Sequence, residues 1–156
     1  MRRPRFATPL SAVALAAAVA GAQARAEEGA PPERTAAANY ILRCAGCHGL
    51  SGEGTVVGGV PTFLGSVSAL AADDRGRTYM ANVPGVLSAS LGDAEIAAVF
   101  NYVLERWGDG GPVPPFTAGE VAARQAEAVG DIVAFRRDLA ERLRHAGVTL
   151  ADYPWP

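Results

Sequence analysis

Apolar residues recur at three- and four-residue steps most clearly in GDAEIAAVFNYVLERW, Gly92 to Trp107, where Ile96, Val99, Phe100, Val103, Leu104 and Trp107 share one face. The pattern predicts an amphipathic helix. Asp93 and Glu95 stand in its first turn, where the helix dipole favours negative charge. GDGGPVPP, Gly108 to Pro115, terminates it and reads as a linker. Upstream, RTAAANYILRCAGCH, Arg34 to His48, reads as a helix with a partial apolar face through Tyr40, Ile41 and Leu42. GLSGEGTVVGGVPTFLG, Gly49 to Gly65, has no helical period and reads as a Gly-rich loop. SVSALAADDRGRTYM, Ser66 to Met80, predicts one or two short helical turns, and ANVPGVLSAS, Ala81 to Ser90, a turn-rich loop around Pro84 and Gly85.

Two further helical patterns close the chain. TAGEVAARQAEAV, from Thr117, opens with Thr117 and Glu120 at capping-box spacing. DIVAFRRDLAERLRHAG, from Asp131, has Asp131 as its cap and Gly147 as its stop, with Ile132, Phe135, Leu139 and Leu143 on one face. These two are predicted to form a helical extension, 112–156, packed over apolar surface of the preceding domain, 34–111; docking of a partner is the alternative use. The tail VTLADYPWP is predicted to be irregular. Alternating strand patterns are nearly absent and no internal repeat appears, so the expected class is all-α.

The N-terminus alters the picture of where the protein works. MRRPRF is positively charged, ATPLSAVALAAAVAGA is a short apolar run, and AQA and ARA are small-x-small cleavage sites. Residues 1–26 are therefore expected to be a signal peptide and 27–33 a flexible lead. A retained anchor is the competing reading, but the run is dominated by Ala and short for a span of about 20 residues. The expected mature chain is periplasmic, without a transmembrane span, and of about 130 residues, enough for one domain. The formal charge of −2, with no dense basic patch, does not support a nucleic-acid partner. No catalytic triad, carboxylate pair or phosphate-binding loop is recognisable.

Both cysteines of the chain stand in CAGCH, at Cys44 and Cys47, with His48 directly behind. A disulfide there would close a trivial loop and constrain little chain entropy. A structural zinc site needs four ligands, and the other histidine, His145, is far off in sequence. A thioredoxin-type motif follows a strand and opens a helix, whereas here a helix precedes and a Gly-rich loop follows. Cys-x-x-Cys-His is also the attachment motif of covalent haem c. Two thiols three apart on a helix face can each bond one vinyl group of a porphyrin, and the next residue then turns its imidazole toward the iron.

On these residues the segment from Arg34 to Trp107 resembles the class I c-type cytochromes. The resemblance implies a helical fold around one covalently attached haem. It implies that Pro61, in GVPTFLG, accepts a hydrogen bond from the outer nitrogen of His48 and so orients the ligand. It places Met80, the one methionine of the expected mature chain, in a loop before the last haem-domain helix as the second iron ligand. Core packing of Met80, ligation by His145 and an open sixth position are the alternatives. Arg75 or Arg77 is a candidate partner for a haem propionate. The implied function is a monohaem carrier of single electrons, with a periplasmic dehydrogenase, another cytochrome or an oxidase as partners. A five-coordinate haem protein with an enzymatic or gas-binding role, and a cytochrome subunit of a dehydrogenase complex, are the other classes.

Overall fold

Thr35 opens the first helix: its hydroxyl accepts the Ala38 N–H at 3.2 Å, a bond that the following Ala-rich turns have no side chain to replace. The computed structural model describes residues 34–109, 111 and 113–154. The expected signal peptide and flexible lead lie outside them, as do Trp155 and Pro156. The helices in chain order are α1 Ala36–Arg43, α2 Ala45–His48, α3 Val67–Ala71, α4 Asp74–Asn82, α5 Pro84–Leu87, α6 Asp93–Trp107, α7 Ala118–Gln125 and α8 Ile132–His145. No strand occurs among the described residues; an isolated bridge pairs Thr55 with Val60. The all-α class expected from the periodicity is the class observed, and no helix among the described residues is long and apolar enough to cross a membrane.

The core is laid down by α6. Its face of Ile96, Val99, Phe100, Val103 and Trp107 is buried, and α1, α3 and α7 pack against it. The crossing of α1 on α6 is fixed by polar groups as well. Glu95 accepts the Gly92 N–H at 3.0 Å, doing for the helix start what a Gly cap cannot, and accepts the Asn39 amide at 3.1 Å. These two hydrogen bonds, with the Gly92 N–H first, hold the Glu95 carboxyl below its usual range.

Residues 66–90 depart from expectation. Asp73 accepts the Gly76 N–H at 2.9 Å and caps α4, and no proline interrupts the chain until Pro84, so the helix runs through Met80 instead of leaving it in a loop. Pro84 then takes the first position of α5, where its missing N–H costs nothing. The predicted single helix 34–48 is also broken, at Cys44, whose ψ of −40° comes with a φ of −120°.

The C-terminal helices lie on the rest of the molecule: α7 packs on α6 and α4, and α8 on α4. Arg77 of α4 is the peg. Its Nε and Nη2 donate to the two oxygens of Glu120 at 2.5 and 2.6 Å, and its Nη1 donates to the Ala71 and Pro114 carbonyls, each at 3.0 Å. Phe116 stacks on the guanidinium at 3.6 Å. Arg124 joins the same carboxylate and reaches Asp74 at 2.8 Å. The capping box expected at Thr117 is therefore half made: Thr117 caps the Glu120 N–H, but the Glu120 side chain turns away to the arginines. Asn101 pins the connection by exchanging two hydrogen bonds with the Phe116 backbone. Asp131 caps α8 as expected, and Leu139 and Leu143 are buried.

Hydrogen bonding from Arg77, followed by that from Arg124, depresses the Glu120 carboxyl from 4.5 to about 2. A depressed acid stabilises the fold above its unfolded pKa and loses that contribution as pH falls through the folded value. Glu120→Gln is therefore expected to cost about 2 kcal/mol at neutral pH, because it leaves Arg77 short of its counter-charge. The gap between wild type and variant should close as pH drops from about 4.5 toward about 2, measured by denaturant unfolding across that window.

Candidate haem-attachment site

The break at Cys44 gathers the three residues of the motif into one turn. The Cys44 N–H still donates to Tyr40 at 2.8 Å, while the Cys44 carbonyl accepts from both Cys47 and His48, at 3.1 and 2.9 Å. Both thiols are free; Cys44 is half-buried and Cys47 exposed. Burial, and then the neighbouring Cys47, push the Cys44 thiol up, which keeps it protonated until chemistry demands otherwise.

The His48 ring lies flat on Phe63, with centroids 4.2 Å apart and planes 14° from parallel. Phe63 stacks on Trp107 at 5.6 Å, and Trp107 meets Tyr40 at 4.9 Å. The imidazole thus ends an aromatic column rooted in α1 and α6. Burial pushes its pKa below the ordinary value, opposed by the Pro61 carbonyl beside it, so the ring is neutral at pH 7. Nδ1 is buried and makes no hydrogen bond, although that carbonyl is close enough to act on the ring. A short movement of the loop would close the bond, fix the tautomer and leave Nε2 for a metal.

The loop 49–65 is tied so that Pro61 can reach this place. The Gly54 N–H donates to the His48 carbonyl at 2.9 Å, and the Gly52 carbonyl accepts from the Phe63 N–H at 2.8 Å and the Thr62 hydroxyl at 3.1 Å. The Tyr40 hydroxyl donates to the Gly49 carbonyl at 2.6 Å; burial first of all pushes that phenol up to about 12, so it remains a donor. Gly54 adopts φ +70°, and a Cβ there would stand 2.4 Å from the Val60 oxygen and 2.7 Å from that of Pro61. Only glycine lets the two strands of the loop approach so closely.

The remaining sequence-predicted residues are placed differently. Met80 is buried in α4 within the core cluster that also touches Cys44, Ala45 and Phe63. His145 is 68% exposed beside Glu141. Arg77 is committed to Glu120, and Arg75 is exposed with its guanidinium over Phe135. The aromatic column behind His48 was not predicted as a unit, because Phe63 and Trp107 are 44 positions apart in sequence.

A neutral, half-buried imidazole with a buried and unpartnered Nδ1, two free thiols in the same turn and a carbonyl waiting at the ring fit a covalently bound haem. A bare metal ion does not fit: among the described residues no three His, Cys, Asp or Glu side chains converge to hold one. A haem brings its own four nitrogens and asks for one protein ligand on this side. The fold and the site define a helical haem c protein. No family model and no solved structure matches the chain. It is 36% identical over 111 residues to two proteins named cytochrome c-552, both of Thermus thermophilus; the match takes in 58% of this chain and 84% and 74% of theirs. The chain belongs to the c-type cytochromes and its cofactor is a covalently attached haem c.

Gly54→Ala is expected to destabilise the haem-loaded protein by about 2 kcal/mol or more, since it combines a left-handed backbone with two carbonyl clashes. Chemical denaturation followed by haem absorbance and by far-ultraviolet dichroism would measure it.

Proposed function

We propose that the protein is an exported monohaem electron carrier in which Cys44 and Cys47 form the two thioethers, His48 is the proximal ligand and Met80 the distal one. The observation that carries the reading is the seated, neutral His48 directly behind two free thiols. The haem supplies a one-electron couple. The chain's own residues would hold it: the thiols would tether it, Phe63 and Trp107 hold the imidazole plane, and the Pro61 carbonyl would accept a hydrogen bond from Nδ1–H and so raise ligand basicity. Buried Tyr40, packed on Phe63 and Trp107, closes the aromatic column behind the imidazole. Its partners are redox proteins, with a periplasmic dehydrogenase, a cytochrome or an oxidase as the proposed classes.

Met80 is supported as the distal ligand by its burial in the cluster that reaches Cys44 and Phe63, and by being the one methionine among the described residues. One observation favours a second reading. Met80 is held inside α4, whose main contacts are α3, α7 and α8, so it has less freedom to reach a metal than a loop residue. In that reading the distal position is open and the protein binds small ligands.

Two measurements test the proposal. The exported protein, matured where haem ligation is available, should gain the mass of one haem. Cys44→Ser and Cys47→Ser should each lose one thioether, and the double variant all covalent haem. The ferric wild type should show a methionine-to-iron charge-transfer band that Met80→Leu abolishes with a fall in reduction potential. Rapid carbon monoxide binding by the reduced wild type, with no change in Met80→Leu, selects the open site instead.

A further inference from the structure

Arg136 is a cation without a visible counter-ion. It lies on the buried face of α8 with Leu139 and Leu143 and is 2% exposed. Its Nε and Nη1 make no hydrogen bond, and no carboxylate stands within 4.0 Å of it among the described residues. The rings of Tyr153 and Tyr79 flank the guanidinium, at 4.5 and 5.2 Å, and the Tyr79 hydroxyl is a neutral hydrogen-bond partner on that side, which leaves Nε and Nη1 unmatched. Aromatic faces offset part of the cost of burying a charge, but they leave N–H groups unsatisfied. A buried cation with orphan donors demands an acceptor.

The surroundings supply room for one. Arg136 lines a cavity of about 260 Å³ together with Arg144, Thr149, Asp152 and Tyr153. That is below the range of sites that enclose a whole drug-sized ligand and suits a small anion or the acidic end of a larger molecule. The far wall is anchored: the Ala151 N–H donates to Ser66 at 2.9 Å, and the Pro154 carbonyl lies against Gly59. Those contacts attach the cavity to the loop that carries Pro61 and Phe63 to His48.

We propose that this cavity is a binding site for an oxyanion of the carboxylate or phosphate class, with Arg136 as its receptor and Arg144 and Thr149 at its rim. Guanidinium presents rigid in-plane donors that match such anions. The same chemistry has two sources: a carboxylate side chain of the haem, which rests on the reading above, or a free anion, which does not.

The test uses the purified holoprotein in a buffer free of carboxylate and phosphate, titrated with inorganic phosphate and with succinate. A saturable rise in the thermal midpoint, with apparent affinity weakened at least five-fold in Arg136→Gln, supports the site with a free anion as occupant. No response to either anion, with a displaced haem-propionate Raman band and a lowered reduction potential in Arg136→Gln that Arg136→Lys partly restores, supports it with the haem as occupant. The absence of both responses overturns the proposal. So does a coupling between Arg136→Gln and Asp152→Asn that accounts for the whole loss of stability, since the counter-ion is then internal. If Arg136→Gln does not fold, Arg136→Lys gives the same decision: Raman bands identical to wild type and no saturable anion response overturn it. A preparation without covalent haem removes the proposed function but leaves the anion titration as a test of the cavity.

Discussion

The rest of the structure depends on holding one imidazole neutral, flat and half-buried at the end of a short helix. Burial alone would achieve neutrality, since it pushes the His48 pKa down. It would not fix the ring plane. That is done by Phe63 from the following loop, itself braced by Trp107 from α6. Each partner comes from a different element, so the orientation of the ring exists only once α1, α6 and the loop have closed on one another.

The Gly-rich loop makes that closure possible. Its hydrogen bonds from Gly54 to the His48 carbonyl and from Phe63 to Gly52 bring Pro61 back beside the residue from which the loop departs. The loop has little regular structure of its own, and its shape is held by these few bonds and by close backbone approaches. Val56 and Val57 at its tip are exposed, so the precision is confined to the part that meets the site.

The C-terminal helices are bound to α4 by polar groups placed between apolar faces. Arg77 satisfies a carboxylate, two carbonyls and an aromatic face at once. Arg142 adds an ion pair at 2.5 Å to Asp73, the residue that caps α4. Because α4 is gripped by α7 and α8, the position of Met80 depends on the C-terminal helices as well as on its own helix.

The all-α class, the α6 helix and the cysteine–histidine motif were legible in the chain because each rests on local rules: a period of 3.6, charges in the first turn, a three-residue spacing. Arg136 also carried a local signal, since it falls three and seven positions before Leu139 and Leu143 on their face. That spacing places it inward but not what it meets there. Met80 was misplaced as a loop residue because the cap that lengthens α4, Asp73, is one of two adjacent aspartates with no distinguishing pattern. The fate of Glu120 was misread for a related reason: its spacing to Thr117 suits a capping box, and the competing partner, Arg77, lies 43 positions away. The amino-acid sequence by itself determined which chemistry the chain carries, for cysteine–histidine spacing and helix periodicity are short-range properties. Only the tertiary structure decided how the imidazole is oriented, where the arginines are spent and which cation is left over, because those outcomes turn on contacts between residues that local rules do not connect.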